Sequence, residues 1–124
     1  MTALTHKRVW LVEDDEALRE LIALVLRKSG LDVVELETGR HLVDAAQHRE
    51  LPDLVVTDHH MPMLHGLDAL EKLRDEGLSI PAVLVTAFAD LPLRTRAERL
   101  GARVIEKPCD VYHLRAVILA ELDR

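Results

Sequence analysis

Aromatic residues are almost missing from this chain. Trp10, Phe88 and Tyr112 are the only three, 2% of 124 residues, so its core must be aliphatic. A single cysteine, Cys109, excludes an internal disulfide and gives no sign of an oxidising compartment. No apolar run approaches the roughly 18 residues of a membrane span, and the N-terminus lacks the apolar stretch of a secretion signal. The formal net charge of -6 has the wrong sign for a protein that tracks phosphates. No Lys/Arg cluster is interleaved with stacking aromatics either, so direct nucleic-acid binding is not expected. No Pro/Gly/Ser-rich linker, internal repeat or low-complexity tract divides the chain. What remains, 48% hydrophobic and 31% charged, fits a soluble globular protein. The length suits one compact domain, residues 1–124, in the cytoplasm and without a membrane partner.

Short aliphatic runs alternate with longer amphipathic stretches, five times over. Residues 8–13, 32–36, 53–57, 82–86 and 102–106 read as strands rich in Val, Leu and Ile, as a parallel sheet covered on both faces requires. In the first helical stretch Leu18, Leu21, Ile22, Val25 and Leu26 recur at helical spacing, with Gly30 placed as a C-terminal cap. The last helix starts near Asp110, its N-cap, and carries Leu114, Val117, Ile118 and Leu122 on one stripe. Residues 91–100 are the least regular, because Pro92 and three arginines leave few apolar anchors. A mobile or partner-facing helix is expected there. Strands alternating with helices imply an α/β fold with right-handed crossovers and helices on both faces of the sheet.

In such folds ligands bind beyond the carboxyl ends of the strands. Glu13 and Asp14 follow the first strand, Asp58 the third, Thr86 the fourth and Lys107 the fifth, so five polar groups are expected to converge on one pocket. The chemistry follows from the residue types. A carboxylate attacks a phosphoryl group only when their shared negative charge is neutralised. Glu13, Asp14 and Asp58 are hard oxygen ligands suited to Mg2+. Lys107 can reach a phosphoryl oxygen as a point charge, and the Thr86 hydroxyl can donate to another.

These residues also carry a family resemblance over nearly the whole chain. The acidic pair Glu13-Asp14, the segment Asp58-His59-His60-Met61-Pro62 through Gly66, Thr86-Ala87 and Lys107-Pro108 resemble the receiver domain of bacterial two-component response regulators. The resemblance implies a doubly wound (βα)5 flavodoxin-like fold with a five-stranded parallel sheet in order 2-1-3-4-5. It also implies transfer of a phosphoryl group to Asp58 from the phosphohistidine of a sensor histidine kinase or phosphotransfer protein. The His60 backbone carbonyl would complete the Mg2+ ligands. The domain would catalyse only its own phosphorylation and dephosphorylation. It would signal to a downstream protein or output domain by a conformational population shift, alone or within a larger regulator or hybrid kinase. In the family the side chains two residues after the acceptor and after the threonine, here His60 and Phe88, help set the dephosphorylation rate.

Each residue has a blander reading. Acids after a strand often serve the macrodipole of the next helix, as Asp15 and Glu16 are expected to do. Asp58 could be a turn residue, Lys107 a solvated lysine and Thr86 a β-branched strand end. His59, His60 and His65 invite a transition-metal reading with Asp58, but they match no compact zinc pattern, and adjacent loop histidines usually diverge. Arg94, Arg96 and Arg99 form either a solvated surface or a docking face for an acidic partner. At the level of the whole domain, a phosphorylation-independent docking receiver and a Mg2+-dependent aspartyl-phosphate hydrolase are the alternatives. The hydrolase would need an acid or base where His60 stands and a substrate-cap segment.

Three departures from the family pattern matter. Glu13 stands where aspartate is usual. Val104, three residues before the lysine, replaces a common Tyr or Phe, so aromatic gating of the threonine is not expected. Gly101 to Lys107 is one residue shorter than the commonest spacing.

Overall fold

The computed structural model describes residues 6–124. Five strand–helix units follow in order: β1 (Arg8–Val12), α1 (Glu16–Lys28), β2 (Asp32–Leu36), α2 (Gly39–His48), β3 (Leu54–Asp58), α3 (Gly66–Asp75), β4 (Ala82–Thr86), α4 (Leu91–Arg99), β5 (Ala102–Glu106) and α5 (Val111–Leu122). All strand pairs are parallel, in order β2-β1-β3-β4-β5. The doubly wound flavodoxin-like topology expected from the sequence is therefore present.

Strand periodicity distributes the core. Trp10, Val12, Val55 and Leu84 point to one face of the sheet, where they meet Leu42, Leu67, Leu70, Leu73 and Ala97 of α2, α3 and α4. Their neighbours Val9, Leu11, Val56, Val83 and Val85 point to the other, against Ile22, Leu26, Leu114 and Ile118 of α1 and α5. Every residue of β3 and β4 is buried, which is why those segments carry no alternation of polar and apolar residues. The edge strands β2 and β5 expose Asp32, Arg103 and Glu106.

Helix ends obey local rules. Asp15, Thr38, Asp90 and Asp110 cap α1, α2, α4 and α5, each side chain accepting a first-turn backbone N–H; such caps contribute about 1 kcal/mol each. Gly30 takes a φ of 89° just after α1, the left-handed turn expected of it. Two boundaries and one burial differ from the sequence reading. β1 ends at Val12, although the Glu13 amide still donates to the Leu36 carbonyl at 3.0 Å, so Glu13 lies just past the ladder. β3 runs one residue later and includes Asp58. Leu21 is 47% exposed, because it sits at the margin of the stripe that Ile22, Val25 and Leu26 bury.

α4 is a regular helix despite Pro92, which falls in the first turn, where a backbone N–H has no intrahelical acceptor. Ala97 is the only residue within it that is fully buried. Ionic contacts supplement this thin packing. Arg96 pairs with Asp68 at 2.7 Å and Glu71 at 2.9 Å, both on α3, and Arg94 pairs with Glu106 of β5 at 2.9 Å. Two of the three arginines expected to form a basic face are thus already engaged within the domain.

Candidate functional site

The carboxyl ends of β1, β3, β4 and β5 bring the distant residues together. Oxygen atoms of Glu13, Asp14 and Asp58 lie within 4.8 Å of one another. Lys107 Nζ stands 3.3 Å from Asp58 Oδ2 and 3.9 Å from Glu13 Oε1. Asp58 and Glu13 are only 7% and 5% exposed, whereas Asp14 faces solvent. Asp15, as expected, is not part of the cluster: its carboxylate caps α1, and its amide donates to Glu13 Oε2 at 3.0 Å.

Burial pushes the Glu13 carboxyl up to about 7, and the nearby Asp58 charge adds to this, while the Asp15 amide and Lys107 oppose it. Its surroundings explain the burial. A cavity of about 540 Å³ opens beside the acids, walled by Leu18, Ile22, Val56, Val111 and Leu114, with no aromatic ring to fill it. Two buried carboxyl groups and the exposed Asp14 share one ammonium, which leaves net negative charge at the rim of the sheet and fits a divalent cation held by hard oxygen donors.

Two further residues position the site: Arg19, which the sequence reading did not single out, and Gly66, which closes the Asp58 segment. Arg19 is buried and donates from Nη1 to the Glu13 carbonyl at 2.9 Å, while its Nε lies 3.4 Å from Glu35 of β2. The available signal was weak: an arginine on the apolar face of α1. Gly66 closes the loop after β3. Its amide donates to the His59 carbonyl at 3.0 Å, and a Cβ there would stand 2.5 Å from the Asp58 carbonyl oxygen. Only glycine permits that approach.

Thr86 is fully buried, and its hydroxyl is engaged away from Asp58. It donates to the Phe88 carbonyl at 3.3 Å and accepts the Phe88 amide at 3.2 Å. Phe88 itself is 60% exposed. Val104 is half-buried against the α2–α3–α4 layer. The histidines depart from expectation, since the rings of His59, His60 and His65 gather beside one another instead of diverging.

Residues 9–119 match the family described as the response regulator receiver domain. The chain belongs to that family. This receiver is 34% identical over 117 residues to the transcriptional regulatory protein FixJ of Azorhizobium caulinodans, covering 94% of this chain and 55% of FixJ. It is 37% identical over 102 residues to the C4-dicarboxylate transport transcriptional regulatory protein DctD of Pseudomonas aeruginosa, covering 82% of this chain and 22% of DctD. The receiver therefore spans between about a fifth and just over half of these relatives' lengths. Among solved structures, the CheY-like receiver domain protein of Methanospirillum hungatei superposes with a TM-score of 0.87 at 25% identity, covering 96% of this chain and 95% of that one. The receiver family is a family of signalling domains, not of conventional enzymes. Among the described residues no helix is long and apolar enough to cross a membrane.

Proposed function

We propose that Asp58 is the phosphoacceptor of this receiver and that Glu13, Asp14 and the His60 backbone carbonyl hold a Mg2+ ion beside it. The observation that carries this reading is the meeting of Lys107 with Asp58 at 3.3 Å inside a cluster of three carboxylates drawn from two different strands. An Asp58 oxygen forms the new P–O bond while the P–N bond to the donor imidazole breaks, and the donor histidine recovers the electron pair. Lys107 exchanges its contact with Asp58 for one with a phosphoryl oxygen, where negative charge is now concentrated. A bound Mg2+ supplies charge neutralisation that one ammonium cannot.

Thr86 gives the reading its signalling half. To donate to a phosphoryl oxygen, its hydroxyl must release the Phe88 carbonyl, which frees the segment leading into α4. Phosphorylation then favours an alternative arrangement of that segment through contacts the unmodified state lacks. With Val104 in place of an aromatic ring, the shift passes through the Phe88 backbone and not through a side-chain rotamer. The unit acts as one cytoplasmic domain, 1–124, receiving from a histidine kinase or phosphotransfer protein and addressing a downstream protein or output domain. It catalyses no reaction but its own modification and its reversal.

Incubating the protein with a small-molecule phosphodonor, with and without Mg2+, tests this. The expected result is one phosphoryl group per chain, located on Asp58, dependent on Mg2+ and without sustained donor turnover. Absence of modification would leave a docking-only receiver, and sustained turnover would point to a hydrolase.

A further inference from the structure

The loop after the phosphoacceptor holds three imidazoles that the phosphotransfer reading does not use. Ring centres of His59 and His60 are 5.0 Å apart, those of His59 and His65 5.1 Å, and those of His60 and His65 5.9 Å. An ion bound at about 2.0–2.1 Å by three imidazoles in tetrahedral geometry holds their ring centres roughly 5 Å apart. We propose that His59, His60 and His65 form a second cation site, selective for a borderline-soft divalent transition ion such as Zn2+, Co2+ or Ni2+.

The backbone accounts for the gathering. Gly66 donates to the His59 carbonyl, which folds the loop so that residue 65 returns beside residue 59. His65 is the N-cap residue of α3 but its side chain makes no capping bond, so its ring is not committed to the helix. Asp68 Oδ2 lies 4.0 Å from His65 Nδ1, a contact that must shorten before the carboxylate can orient the ring. Ring nitrogens discriminate against Mg2+ far more strongly than carboxylates do, so excess Mg2+ can fill the acidic cluster while leaving the imidazoles to a transition ion.

Ligation requires ring rotation. Among the described residues, the acidic cluster is the group whose donor atoms already gather within 4.8 Å. His60 and His65 are exposed and can turn freely. His59 must release the Leu67 amide from its Nδ1, a bond of 3.3 Å. That amide is in the first turn of α3, where N–H groups have no intrahelical acceptor. His60 and His65 are therefore the primary ligands and His59 completes the set.

The test is a Co2+ titration of the full chain in excess Mg2+, without phosphodonor, followed by visible absorption. One Co2+ per chain is expected, with the spectrum of a nitrogen-ligated ion. His65→Ala and His60→Gln should each weaken binding by more than about tenfold, while Asp14→Asn leaves it unchanged. Circular dichroism of each variant separates lost ligation from lost fold, and a variant that misfolds is replaced by His65→Gln or His60→Ala. Absence of a Co2+ spectrum, a spectrum indifferent to the histidine substitutions, or one lost in Asp14→Asn would overturn the proposal. Phosphorylation plays no part in the readout, so the result stands apart from the role of Asp58.

Discussion

The end of β3 and the helix α4 are held by different forces, and the difference separates what stays fixed from what can respond. β3 is central, buried along its whole length and paired on both sides, and Gly66 clamps the loop beyond it. The Asp58 carboxylate is thereby placed by packing and backbone hydrogen bonds that salt hardly touches. α4 buries only Ala97 fully and leans on Arg94 and Arg96 for attachment. Exposed and half-exposed ion pairs contribute little individually and are screened by salt. A reaction centre needs the first kind of support, and an element that must change position needs the second. Thr86 stands between them, on a buried strand but bonded to the backbone that enters α4.

Substitutions on each side should separate the two kinds of support. Asp58→Asn has the largest effect, complete loss of phosphorylation with the fold retained, read by intact mass and circular dichroism; residual modification would relocate the acceptor. Lys107→Ala should slow phosphorylation about 100-fold or more, by analogy with removal of one preorganised donor from a charge-stabilising site, with little change in Mg2+ affinity. Gly66→Ala attacks the rigid side and should cost about 1–3 kcal/mol in denaturant unfolding, since the added methyl meets backbone. A smaller cost would mean that the loop yields. Arg96→Ala attacks the tethered side and should cost about 1 kcal/mol or less. Its signature is faster hydrogen exchange confined to α4, reproduced in the wild type by high salt. Equal loosening of β3 would remove the distinction.

Glu13 links the rigid side to pH. Its carboxyl is raised to about 7, so without metal the folded state keeps a proton that the unfolded state has released. Stability from this group is present below about 4.5 and falls as pH rises towards 7. Mg2+ must displace that proton, so its affinity should increase between pH 6 and pH 8, by up to about tenfold per unit below the pKa. Calorimetric titration checks this, and Glu13→Gln should flatten the profile. A flat wild-type profile would remove Glu13 from the metal's ligands.

Much of this was legible in the residues because strand periodicity and caps are local. Val9-Trp10-Leu11-Val12 announces a strand buried on both faces, Asp110 announces a helix start, and the strand ends then assign Glu13, Asp58, Thr86 and Lys107 to one edge of the sheet. Long-range polar partners were not legible. Arg96 reads as a surface charge until α3 presents Asp68 and Glu71, and Arg19 is only a charge on the apolar face of α1 until it is found beneath the Glu13 carbonyl. The histidine cluster was hidden for the same reason, because the return of His65 to His59 depends on the closure at Gly66. The Thr86–Phe88 bond likewise depends on the path of a loop, which side-chain patterning does not specify.

The most direct test of a fixed acceptor coupled to a tethered helix is hydrogen exchange, followed by mass spectrometry, of the Mg2+-loaded protein before and after treatment with a phosphodonor. Unchanged slow exchange is expected in residues 54–58, with altered exchange in residues 87–100. Uniform change across the domain, or phosphorylated Asp58 with no change around α4, would contradict this.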